Sequence, residues 1–192
     1  MNPQERVRLL LAPQASESDI AGIAGLLNLD LRAIRPEGAF TYERIWCTPD
    51  GSTYLGYVED RAIGVRYLSL LGPDAHRLAD TMQGTVPVVS ASAVREMFKS
   101  AQSSVDWVTA VYHAAAVSRE TFDPELFSCF QQAMAHPHPD VRKSVLLAAS
   151  YPGWTEFKPG LQNMRDHDPV EEVRKLAGIT IDSLESFTWN SK

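Results

Sequence analysis

Few residues in this chain have the types and spacing to do chemistry. His136, His138 and His167 stand among Asp140, Asp166 and Asp168, and imidazole with carboxylate is a ligand set for a transition metal. The same residues flank Pro137, Pro139 and Pro169, and Pro, Asp and His are equally the residues of plain turns between helices. The turn reading is the stronger one, so no metal is assigned. Cys129 falls on an apolar stripe and reads as core, and Cys47 ends a strand pattern without an activating partner. No Ser/His/Asp or Cys/His triad can be assembled. Gly22 and Gly25 fall inside a helical pattern rather than in a phosphate-binding loop. No catalytic residue and no cofactor is therefore expected.

The elements holding these residues are helices. From Ser90 onward apolar residues recur at i, i+3, i+4 and i+7: Val94, Met97, Phe98, Ala101; then Val108, Val111, Tyr112, Ala115; Leu126, Cys129, Phe130, Ala133; Val141, Ser144, Val145, Ala148; and Val173, Leu176, Ala177, Thr180. A weaker stripe, Phe157, Leu161 and Met164, is interrupted by Pro159-Gly160. The stripes opening at Val108, Val141 and Val173 are 33 and 32 residues apart with one further helix between each. Helix pairs at that period bury their apolar faces only against neighbouring pairs. Pro139 and Pro169 suit a first helical turn, and Asp168 with Glu171 has the form of a capping box.

His136-Pro-His-Pro-Asp-Val-Arg-Lys143 and Asp166-His-Asp-Pro-Val-Glu-Glu-Val-Arg-Lys175 resemble the HEAT-repeat family. The resemblance spans about residues 90–186 and is clearest over 123–186. The first unit carries Asp106-Trp-Val-Thr where Val-Arg belongs, and the third has two extra residues between Pro169 and Val173. It implies about three helix pairs in a short right-handed stack with a concave binding face, and does not name a partner. Arg142 and Arg174 then occupy equivalent places, with Asp140 and Asp168 in the adjoining turns. We read these four as a structural ladder in which each Arg reaches a loop carboxylate or carbonyl; the competing reading is an anion-binding stripe. Lys143 and Lys175 are expected on the solvated side. With Trp107, which suits either an interface centre or a core plug, and His113, offset from its stripe, they are the candidate partner-binding residues.

The first half differs. Ser16 can cap a helix bearing Ile20, Ile23, Ala24 and Leu27 on one face, and residues 4–11 fit a short helix through Val7, Leu10 and Leu11. Residues 40–47, 53–59 and 62–70 alternate, with Pro49-Asp-Gly51 and Asp60-Arg61 as turns, which predicts a three-stranded antiparallel meander covered by the Asp19–Leu27 helix. A further helix carries Leu78 and Met82 inward and ends at Gly84. The expectation is an α+β chain: an α/β cap over residues 1–88 and helical repeats over 89–192, packed as one unit.

A net charge of −6 over 192 residues, spread over both halves, argues against nucleic acid and permits a basic protein partner. No run is long and apolar enough for a signal peptide or membrane span, which sets a cytoplasmic expectation. Size, acidity and the lack of a catalytic signature predict a non-enzymatic protein-binding scaffold, by analogy a bacterial immunity protein, antitoxin or adaptor. The alternative is a HEAT-like nucleic-acid-processing enzyme of the DNA glycosylase type, built on Asp106, Trp107, Arg142 and Arg174, which demands a basic concave face. Oligomeric state is not legible.

Overall fold

The computed structural model describes residues 6–35, 41–119 and 121–189, the last four by backbone alone. It is α+β, with eight helices and one five-stranded antiparallel sheet among the described residues. Contacts divide the chain into two compact units that meet in sequence at Ser90 and Ala91. No helix among the described residues is long and apolar enough to cross a membrane.

In the first unit the meander is present as β3 (Thr41–Cys47), β4 (Tyr54–Asp60) and β5 (Val65–Leu71), and the sheet gains a strand at each edge. Residues 6–10, expected as helix, form β1 (Arg6–Leu10) beside β5. Val7 and Leu9 are the residues that pack inward, opposite Leu70 and Leu68. The i, i+3, i+4 match of Val7, Leu10 and Leu11 is a coincidence of a short apolar run, because the deciding partner lies some 60 residues away. The start of the expected helix, residues 4–5, lies outside the described residues. The other added strand is β2 (Asp30–Arg35), paired with β3, which makes the order β1-β5-β4-β3-β2.

Helices α1 (Glu17–Leu26) and α2 (Ala75–Gln83) cover one face of the sheet. A capping box starts α1: the Ser16 hydroxyl accepts from the Asp19 amide, and the Asp19 carboxylate accepts from the Ser16 amide. Asn28 takes a left-handed φ of 54° after the helix. Ile20, Ile23, Ala24, Leu78 and Met82 then close over Leu9, Trp46, Leu55, Tyr57, Leu68 and Leu70. At the end of β5, Gly72 has φ 122°, and a Cβ there would stand 2.4 Å from the Ser52 carbonyl oxygen. That close approach lets the α2 entry dock on the β3–β4 turn, where the Asp74 amide donates to Thr53 Oγ1 at 3.1 Å.

The second unit consists of α3 (Ala91–Ser100), α4 (Ser104–Val117), α5 (Pro124–Met134), α6 (Pro139–Ala148), α7 (Phe157–His167) and α8 (Glu171–Trp189). The odd helices pack in sequence, α3 on α5 and α5 on α7; the even ones likewise, α4 on α6 and α6 on α8. The stripes of α5 and α6 are buried as read. That of α4 is turned: Ala110, Val111, Ala114, Ala115 and Ala116 are buried, while Val108 and Tyr112 are half-buried. Because α4 touches α3, α5 and α6, its crowded side favours alanine, and the larger residues move to the rim. Pro159-Gly160 does not interrupt α7. Pro159 falls in the first turn, where its missing N–H is harmless, and a Cβ on Gly160 would meet Met134 Sδ at 2.8 Å, so glycine permits the approach to α5.

Two substitutions test this packing. Gly72→Ala should cost about 2 kcal/mol or more in denaturant unfolding, through strain and the clash with residues 52–53. Ala148→Asp buries an unpaired carboxylate at a fully buried position and should lower the thermal midpoint by several degrees or prevent folding; an unchanged midpoint would contradict the packing of α6.

Candidate functional site

The strongest polar constellation of the second unit is the joint between the α5–α6 and α7–α8 loops. Arg142 leaves the first turn of α6 and is 7% exposed. Its Nε donates to Asp168 Oδ2 at 2.6 Å and one terminal nitrogen to Oδ1 at 2.9 Å; the other donates to the carbonyls of His136 and Pro137, both at 2.9 Å. Asp168 is shared further. Its carboxylate accepts from the Val170 amide at 2.9 Å, and its carbonyl accepts from Arg174 at 2.6 Å. The guanidinium, followed by the Val170 amide, holds the Asp168 carboxyl below the usual carboxylate range against the opposing effect of burial. This wiring ties the two loops together, and every guanidinium nitrogen of Arg142 is engaged within it.

At the corresponding place of α4 no arginine is present, and an aromatic contact stands there. Trp107 packs edge-on against Phe98 at 5.5 Å between ring centres and at a tilt against His136 at 5.0 Å. Trp107 and His136 line a shallow surface cleft of about 420 Å³ with Gln102, Ser103, Pro137 and His138. Trp107 is half-buried, so it serves the packing and still reaches the surface. His113, half-buried, places Nδ1 2.8 Å from the Thr109 carbonyl. Burial lowers its pKa, so the ring is neutral with Nδ1 donating; it is a satisfied histidine.

The lysines separate. Lys175 is exposed and pairs along its own helix with Glu171 at 2.7 Å, so Glu171 serves that pair while the Val170 amide goes to Asp168. Lys143 is expected on the solvated side, yet its side chain is only 28% exposed and bridges Asp140 at 2.9 Å and Glu172 at 3.1 Å. It forms an outer rung from α6 to α8, parallel to the inner rung made by Arg142. Asp140 thus joins the ladder through Lys143 rather than through an arginine. His136 and His138 turn their Nδ1 atoms onto the amides of His138 and Asp140, which is turn chemistry. Among the described residues no group of three or more His, Cys, Asp or Glu could hold a metal ion.

Sequence reasoning missed the apolar residues of the even layer. Val105 is 70% exposed, Leu147 40% and Ile179 62%. Leu147 and Ile179 line a cleft of about 260 Å³ with Lys143, Leu146, Ser150 and Leu176. A signal existed: they stand 32 residues apart, the spacing of Val141 and Val173, on positions outside the buried stripes. Trp154 was missed as well. Its indole N–H donates to the Arg119 carbonyl at 2.9 Å, and its ring joins Phe122, Phe127, Phe130 and Phe157 in one cluster.

Asp168→Ala should cost about 3–5 kcal/mol of unfolding free energy by stranding a buried guanidinium, whereas Arg142→Met with Asp168→Leu should recover a large part of that loss. The pair also sets an acid limb. The folded Asp168 carboxyl titrates below its unfolded value, so its stabilisation is complete above about pH 4 and is lost as pH falls through the folded pKa. Thermal midpoints measured from pH 7 to pH 2 should therefore fall less steeply for Asp168→Asn than for the wild type.

No protein-family model, no curated protein and no solved structure matches this chain.

Proposed function

We propose that the second unit is a short HEAT-like stack acting as a non-enzymatic protein-binding scaffold, and that the outward face of α4, α6 and α8 receives the partner. The observation that carries this reading is the pairing of exposed Leu147 and Ile179 across one cleft between adjacent even helices. Large exposed aliphatic side chains gathered in a concavity favour contact with another apolar surface over contact with water. Lys143 lines the same cleft and pairs with Asp140 and Glu172, which sets charge beside an apolar centre as in a protein interface.

Electrostatics favours protein over nucleic acid at this face. Lys143 and Lys175 are each matched by carboxylates, and Arg142 and Arg174 are turned into the loops. A glycosylase-type site would need cations free to meet phosphates. The chain's net charge of −6 makes a basic partner the better complement. An immunity protein, an antitoxin and an adaptor are the classes that fit a small acidic binding module of this kind.

Affinity purification from the native host, with the wild type beside a Leu147→Glu, Ile179→Glu variant, tests the reading. Expected is one stoichiometric partner whose affinity falls about tenfold or more in the variant, while its circular dichroism is unchanged. A partner retained at full affinity by the folded variant would refute the proposed face.

A further inference from the structure

The two edges of the sheet are treated differently. At β1 the edge is continued by residues 87–89: the Ala12 amide donates to the Pro87 carbonyl, the Val89 amide to the Leu10 carbonyl, and Leu11 bridges Val88. At β2 no strand among the described residues pairs with the outer side. An edge strand with free backbone donors and acceptors is a template for another strand. Here it also carries exposed apolar residues, Leu31 at 48% and Ile34 at 50%.

A bulge sets which way these residues face. Leu31 opposes Trp46 and Ile34 opposes Arg44, with the register shifting between Leu31 and Ala33. Arg32 is the extra residue, and its Nε turns back to Cys47 Sγ at 2.8 Å. Trp46 and Arg44 are two apart and share a face, so Leu31 and Ile34 share it too, although three apart in sequence. Asp30, Ala33 and Arg35, opposite Cys47, Ile45 and Glu43, share the other.

We propose that β2 pairs antiparallel with β2 of a second copy of this chain, around a two-fold axis at Ala33. A two-fold axis normal to an antiparallel sheet sets one residue opposite itself. With Ala33 central and Arg32 bulged, Ile34 meets Leu31 of the second copy on one face, and Arg35 meets Asp30 on the other. Each pair occurs twice by symmetry. Centring on Leu31 or on Ile34 instead sets a charged residue against Ala33, so only the Ala33 register matches both apolar and both charged positions. Arg35 already pairs with Glu43 at 3.1 Å, but its side chain is 69% exposed, and a guanidinium has donors enough for both carboxylates. The pairing goes beyond the proposed function, and it uses no residue of the even-helix face.

Sedimentation equilibrium over a range of protein concentrations tests it. The wild type is expected to dimerise. Ile34→Lys should abolish the dimer, and Asp30→Arg should raise its Kd about tenfold or more by setting like charges opposite. Asp30→Arg with Arg35→Asp and Glu43→Arg re-forms both ion pairs and should restore it. Amide exchange in β2 should slow as wild-type concentration rises, which reads the contact without any substitution. The Leu147→Glu, Ile179→Glu variant should dimerise as the wild type does. A wild type that stays monomeric, a dimer indifferent to Ile34→Lys and Asp30→Arg, or β2 exchange independent of concentration would overturn the proposal.

Discussion

The buried guanidinium of Arg142 constrains the second unit more tightly than any other group. A charge at that depth is tolerated only when its donors are met. Meeting them requires the carboxylate of Asp168 and two carbonyls of the α5–α6 loop to converge on one point. Apolar stripes alone would let helix pairs slide past one another at modest cost, because burial has no direction. The forked pair removes that freedom. It fixes the distance between successive loops and so the register of α6 on α8. Arg174 repeats half of the device on the Asp168 carbonyl, and Lys143 adds an outer rung. At the α4–α6 joint, where the fork is lacking, Trp107 on His136 supplies shape instead of charge.

The ladder has a consequence for recognition. The lysines of this face, Lys143 and Lys175, are paired with carboxylates of α6 and α8. The large exposed groups there are aliphatic. Leu147 and Ile179 have the exposure of interface residues and the period of structural ones. The 32-residue offset combines these, since it places both the buried stripe and its outward neighbour in α6 and again in α8. In the first unit, packing by α1 and α2 on one face is joined to an unequal treatment of the two edges, and β2 keeps apolar residues in view.

How much of this was legible follows the range of the interactions. The Ser16 cap of α1 lies within four residues of its partner and could be read directly, as could the buried stripes of α5 and α6. The meander was readable because its turns are short and marked by Gly51 and Asp60. β1 reads as helix, and β2 gives no strand signal, because neither carries a long period of its own. β1 is a strand only because β5 offers it an edge, and the alternation of β2 is scrambled by the Arg32 bulge. Trp154 lacked any sequence signal, since its ring sits at the meeting of two loops and two helices.

By itself the sequence determined the local elements: where most helices start, which face of most of them is apolar, and the 32-residue step from Arg142 to Arg174. These are set by interactions within a turn or two of the chain, and residue spacing encodes them. Only the tertiary structure decided which partner each charged residue takes. It gave Arg142 to Asp168 and turned Lys143 from a solvent-facing charge into a rung between α6 and α8. It also turned α4 so that alanines face its three neighbours, and left Leu147, Ile179 and the β2 edge outward. Those outcomes depend on which surfaces meet across tens of residues, and spacing along a chain carries no record of that.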